Sequence, residues 1–171
     1  MRLLPALALG LGLVACSGSS DTPQPPSASA SIAAAAADQA LPQERYVSPT
    51  SGFDLTLPGI WTGRYRAEEK ADTTGGARTG IDFRFIPDSG SKAPSFNLMT
   101  VRIFPKAAWE ASLKRTGGPL GSKLAERGAD VFSLSLPHEN PYNPGTAEAL
   151  MYDRLIISIA QGGQQVHLTP R

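Results

Sequence analysis

Few side chains in this 171-residue chain could bind a metal or move a proton. His138 and His167 are its only histidines. His138 is followed by Glu139 and then by Asn140-Pro141-Tyr142, a loop composition. An imidazole beside a carboxylate could supply an acid–base pair or two ligands to a metal ion. Adjacent residues rarely point the same way, however, and a zinc site takes three or four ligands. His167 lies between Val166 and Leu168, where strand alternation turns it outward. Ser133 and Ser135 alternate with Phe132, Leu134 and Leu136, which makes them the polar face of a strand. Neither serine sits in the Gly-x-Ser-x-Gly turn that exposes a hydrolase nucleophile. Glu68, Glu69 and Asp72 are mixed with Lys70 in a stretch rich in Gly and Thr, which reads as a hairpin loop. Gly75-Gly76 and Gly117-Gly118 lack the Lys-Ser/Thr that completes a phosphate-binding loop, so they read as turns. No catalytic set, metal site or cofactor is expected. The aromatics Trp61, Tyr65, Trp109 and Tyr142 fit core-edge packing; the alternative is that some of them line a groove for a peptide, glycan or lipid. Trp61, Tyr65, Tyr142 and His138 are therefore the candidate binding residues.

Cys16 is the only cysteine, so the chain can form no internal disulfide. The residues before it explain how its thiol is used. Met1-Arg2 is a short positive start, and Leu3 to Val14 is apolar, the length of a secretory h-region and short for a membrane span. Leu13-Val14-Ala15-Cys16 resembles the lipobox of bacterial lipoproteins. The resemblance implies diacylglyceryl attachment to the thiol, cleavage after residue 15, and lipidated Cys16 as the new N-terminus. Each buried methylene of the acyl chains adds about 0.8 kcal/mol of membrane affinity, so two or three chains make a stable anchor. Ser17 in place of Asp implies sorting to the outer membrane, facing the periplasm, if the source is Gram-negative. The expected location is thus the cell envelope, with the membrane as a partner through the N-terminal lipid.

The elements that would position any site lie further along the chain. Residues 16–45 form a Ser/Ala/Pro/Gln/Thr-rich tether, including TPQPPSASAS at Thr22–Ser31, with too little apolar surface to pack. As a flexible coil it would reach roughly 30 Å. Residues 46–171 form the expected single domain. Period-2 alternation marks strands at Phe53-Leu55-Leu57, Ile81-Phe83-Phe85, Met99-Val101-Ile103, Phe132-Leu134-Leu136 and Val166-Leu168. Helical character is expected at Lys106 to Arg115, at Gly121 to Arg127 and at Thr146 to Gln161. In the last, Ala147, Leu150, Met151, Leu155, Ser158 and Ile159 recur along one face, with Gly162-Gly163 at its end. This order predicts an α+β fold with an antiparallel or mixed sheet carrying helices. The chain has 16 basic and 15 acidic residues, and loss of Arg2 with the leader leaves it balanced. That excludes the basic face nucleic acid requires.

The segment YVSPTSGFDLTLPGIW at Tyr46–Trp61, continued by Gly63-Arg64-Tyr65, resembles the opening of small exported bacterial proteins of the PsbP-like type. Asn140-Pro141-Tyr142 and Leu155-Ile156-Ile157-Ser158-Ile159 are similar to their closing pattern. The resemblance implies an α/β/α sandwich around an antiparallel sheet and an accessory or binding role, and it carries over no site residue. The expected function is a membrane-anchored envelope lipoprotein whose non-catalytic domain binds an envelope protein, a peptide or a small molecule. The alternative is an envelope hydrolase or metal-dependent enzyme using His138 and Glu139.

Overall fold

The computed structural model describes residues 41–88, 90–161 and 167–171. The leader, Cys16, the tether up to residue 40, Gly162-Gly163 and Val166 lie outside them. Strands run at β1 (Glu44–Val47), β2 (Phe53–Leu57), β3 (Tyr65–Ala71), β4 (Thr79–Phe85), β5 (Asn97–Pro105), β6 (Ser122–Arg127), β7 (Asp130–Ser135) and β8 (His167–Pro170). Helices run at α1 (Lys106–Leu113) and α2 (Ala147–Gln161), with short 3₁₀ turns at Gly59–Trp61 and Thr74–Gly76. Among the described residues every strand pairing is antiparallel, and the fold is α+β. β1-β2-β8 make a three-stranded sheet, and β3-β4-β5-β7-β6 make a five-stranded one.

The alternation in β4, β5 and β7 gives the larger sheet two unlike faces. Residues directly opposite in an antiparallel ladder share a face. Ile81 pairs with Val101, Phe83 with Met99, and Ile103 with Phe132, so all six look inward. Asp82 pairs with Thr100, Thr100 with Ser135, and Arg102 with Ser133, so these look outward.

Against the inner face pack both the three-stranded sheet and α2. Phe53, Leu55 and Leu57 of β2 join the same buried cluster as Ile81, Phe83, Val101 and Phe132. The rings of Phe53 and Phe132 lie 5.5 Å apart, and those of Tyr46 and Phe83 5.0 Å apart. From α2, Tyr152, Leu155 and Ile159 complete the cluster, and the Tyr152 hydroxyl donates to the Asn97 carbonyl at 2.5 Å. A large apolar side chain buried this way contributes about 1.5–3 kcal/mol. Thr146 caps the helix by accepting the Ala149 N–H on its Oγ1 at 3.2 Å. On the outer face α1 covers one end only: Phe104, Val131, Ala77 and Trp109 form a second, smaller cluster beneath it.

The structure corrects four sequence expectations. Gly121 to Arg127 is not helical: its helix-forming residues Lys123, Leu124, Ala125 and Glu126 lie in β6, where pairing with β7 overrides local preference. Glu68, Glu69 and Lys70 are not in a loop. They belong to β3, an edge strand on which Glu68 and Lys70 sit on the outer face and Glu69 on the inner one. β1 takes in Glu44 and Arg45, which were expected in the tether. Leu150, expected on the packed face of α2, is 64% exposed, and Ala149 and Tyr152 are buried instead.

Candidate functional site

The sequence-predicted binding residues are held by packing. Trp61 is fully buried, and its indole N–H donates to Ser158 Oγ at 3.0 Å, tying the 3₁₀ turn to α2. Tyr65 packs, with its ring tilted, between Trp61 (5.7 Å) and Phe83 (5.4 Å). Burial, with Glu44 nearby, pushes the Tyr65 phenol up to about 12. Tyr142 meets Phe96, Tyr152 and Phe85 at 5.1, 5.6 and 5.7 Å and donates its hydroxyl to the Pro94 carbonyl at 2.6 Å. Trp109 sits against Phe104 at 5.5 Å under α1. Trp61 and Tyr65 are in contact, whereas Tyr142 belongs to a separate ring group; each set packs into the core. His138 and Glu139 are both exposed in the connection from β7 to α2, and neither has a hydrogen-bond or ion-pair partner among the described residues. Among those residues no group of three His, Cys, Asp or Glu is placed to hold a metal ion. His167 is exposed, as the alternation required. Cys16 lies outside the described residues.

Three polar arrangements escaped sequence reasoning. The first centres on Glu69, whose carboxylate accepts from the hydroxyls of Tyr46 at 3.0 Å, Ser48 at 2.5 Å, and Thr50. Burial works to raise its pKa, but the three hydroxyls outweigh it and hold the group below the usual carboxylate range. The burial of Tyr46 and its bond to Glu69 push that phenol upward.

The second lies across the outer face of the five-stranded sheet. Lys70 bonds Asp82, and Asp82 accepts Thr100 Oγ1 at 2.8 Å. Arg102 reaches Asp72 through Nε at 2.9 Å and Ser135 Oγ through Nη1 at 2.7 Å. Burial opposes the ionised Asp72, but bonds from Thr74 and Arg102 win and lower its pKa. Asp72 lies directly over Gly80, where a Cβ would come within 2.8 Å of its Oδ2. A glycine inside an alternating strand was the one signal of this close approach.

The third is an open cleft of about 360 Å³ between the C-terminal end of α1, Thr74-Gly75 and the turn through Arg115–Leu120. Ser133 Oγ donates to the Leu120 carbonyl at 3.1 Å, which pins this turn to the outer face of the sheet. Gly117 and Gly118 both have positive φ (92° and 70°), and a Cβ on either would meet nothing within 4 Å. The lining offers a guanidinium, hydroxyls, backbone amides and one leucine, most of them exposed. No known protein family matches the chain, and no curated protein or solved structure is significantly similar to it.

Proposed function

We propose that this protein is a cell-envelope lipoprotein, anchored through acylated Cys16, whose domain is a non-catalytic binding module. The observation that carries the reading is the placement of the cleft relative to the chain entry. Leu41 and Pro42 pass so closely over Gly59 that a Cβ there would lie 2.2 Å from the Pro42 carbonyl oxygen. Gly59 leads into Trp61, which bonds α2, so the chain enters on the inner side of the five-stranded sheet. The cleft opens on the outer side. A chain entry on one side of the sheet leaves the cleft on the other side clear of the tether, which suits a domain held at a membrane with its ligand site open. Among the described residues no helix is long and apolar enough to cross a membrane, so the proposed attachment rests on the sequence at Leu13–Cys16. A PsbP-like relationship belongs to the same proposal. It draws support from an antiparallel sheet with α2 on one face and α1 on the other. On this reading the ligand is an envelope protein, a peptide or a small molecule, and the outer membrane is the expected site in a Gram-negative cell.

Photo-crosslinking in intact cells tests which side is presented. A photoreactive residue at Thr116, in the cleft, is expected to yield a discrete crosslinked product. One at Val47, in the three-stranded sheet, is expected to yield none. A product from Val47 alone overturns the reading.

A further inference from the structure

We propose that the cleft beside α1 is a site for a ligand carrying one oxyanion group, carboxylate or phosphate, joined to a short apolar body. The inference deepens the binding-module reading and rests on it. The electrostatics of the lining come first. Arg115 lines the cleft, and among the described residues its guanidinium has no ion-pair or hydrogen-bond partner. Lys114 precedes it, and no carboxylate is among the lining residues.

The C-terminal end of a helix ordinarily repels an anion, because its last carbonyls are unpaired. Here two of the last four, those of Ala111 and Ser112, are occupied, and the flanking carbonyls of Trp109 and Arg115 accept bonds as well. Ser112 Oγ donates to the Trp109 carbonyl at 2.6 Å. The Lys114 N–H donates to Ala111 at 3.3 Å, the Arg115 N–H to Ser112 at 3.1 Å, and the Gly118 N–H to Arg115 at 3.0 Å. The nearby Asp72 carboxylate is likewise held by Arg102 and by the Thr74 N–H at 2.8 Å. The cleft therefore keeps an unspent positive charge, with the Asp72 carboxylate and part of the helix terminus already paired. Thr74 and Thr116 add hydroxyl donors, and the glycine turn lets the backbone approach a bound group.

The apolar half of the ligand follows from the opposite wall. Gly75, at φ 65°, faces Leu120 Cδ1 and the Phe104 ring; a Cβ there would lie 2.7 Å and 3.8 Å from them. Leu120 is 38% exposed, which leaves apolar surface in the same lining as Arg115. One arginine next to one apolar wall selects a molecule with a charged end and a short hydrocarbon end.

The test is an amide-resolved NMR titration of the full mature chain with butyl phosphate and with butyrate, against inorganic phosphate and butanol. Saturable shifts are expected at Gly75, Gly117 and Gly118. At least one butyl anion should bind about tenfold more tightly than either control, the gain expected from partial burial of the chain. Arg115→Gln should weaken that binding about tenfold. Lys114→Gln, an equal change of charge outside the lining, should weaken it less than about twofold. Which anion binds better separates a phosphate ligand from a carboxylate one. Equal weakening by the two variants, butanol binding as well as the butyl anions, or shifts confined to other residues overturns the inference. If Thr116 still crosslinks while neither butyl anion binds, this inference falls and the binding-module reading stands.

Discussion

The Glu69 carboxylate accepts hydroxyls from Tyr46, Ser48 and Thr50, all in or just after β1, while Glu69 itself lies on β3. One side chain thus fastens the smaller sheet to the edge of the larger. Because its folded-state pKa is depressed, its contribution is fully present above the unfolded value and is lost as pH falls through the folded one. Glu69→Gln should therefore lower the urea midpoint at pH 7, and the gap to wild type should shrink as pH falls below about 4.3, the unfolded glutamate value. An identical gap at pH 7 and pH 3 contradicts the assignment. The two leucines of α2 make a second contrast. Leu155 is fully buried, so Leu155→Ala should cost about 2–5 kcal/mol. Leu150→Ala, at 64% exposure, should stay within about 0.5 kcal/mol. Equal costs in denaturant titrations would place the wrong face of α2 on the core. His138 and Glu139 show the limit of reading chemistry from neighbours in sequence. Their adjacency is visible in the chain, but their exposure and lack of partners come only from the way β7 leads into α2. The Glu69 cluster is the reverse case: its donors, a strand tyrosine and two turn hydroxyls, lie about 20 residues away and gain a shared partner only when the β1 region meets β3.

At the scale of elements, β4, β5 and β7 were legible because their apolar residues alternate onto one face, buried at Ile81, Phe83, Met99, Val101, Ile103 and Phe132 and half-buried at Leu134. β3 was not. Its inward positions are Tyr65, Ala67, Glu69 and Ala71, too weakly apolar to stand out against Arg66, Glu68 and Lys70. Those outward charges are what an edge strand needs to discourage pairing with another chain. β6 was obscured differently. Its helix-forming residues outvoted the deciding signal, which is Gly121. That residue has φ 86°, and a Cβ on it would lie 2.2 Å from the Leu134 carbonyl oxygen, so the backbone of the turn presses against β7. Gly121→Ala combines backbone strain with a clash and should cost on the order of 3 kcal/mol. Gly117→Ala shares the positive φ, but the space beside it is open, so strain alone applies and about 1 kcal/mol is expected. Thermal midpoints of the two variants check this, and equal losses contradict the placement of β6. The helix at 147–161 was legible in position and length, since Thr146 caps it and its apolar residues recur with helical period. Only its rotation about its axis was misjudged.

On the scale of the whole molecule, the two sheets are joined at both edges. Glu69 does so on the β3 side. On the other, Arg127 donates to the Gly52 carbonyl at 2.7 Å and to the Arg171 carbonyl, while its guanidinium lies 5.8 Å over the Phe132 ring. β8 is thereby drawn against β6 and the C-terminal residue is fixed in the fold. The inner side is closed by the smaller sheet and α2, so the open polar groups gather on the outer side, around Arg102 and the cleft beside α1. The proposed anchor joins the domain on the opposite side, where Leu41 and Pro42 pass over Gly59. That arrangement stands or falls with Cys16, and mass spectrometry of the N-terminal peptide of the protein recovered from cells tests it directly. The account predicts a peptide that begins at Cys16 and carries a thioether-linked diacylglycerol. A peptide that begins elsewhere, or one with Cys16 unmodified, would contradict it.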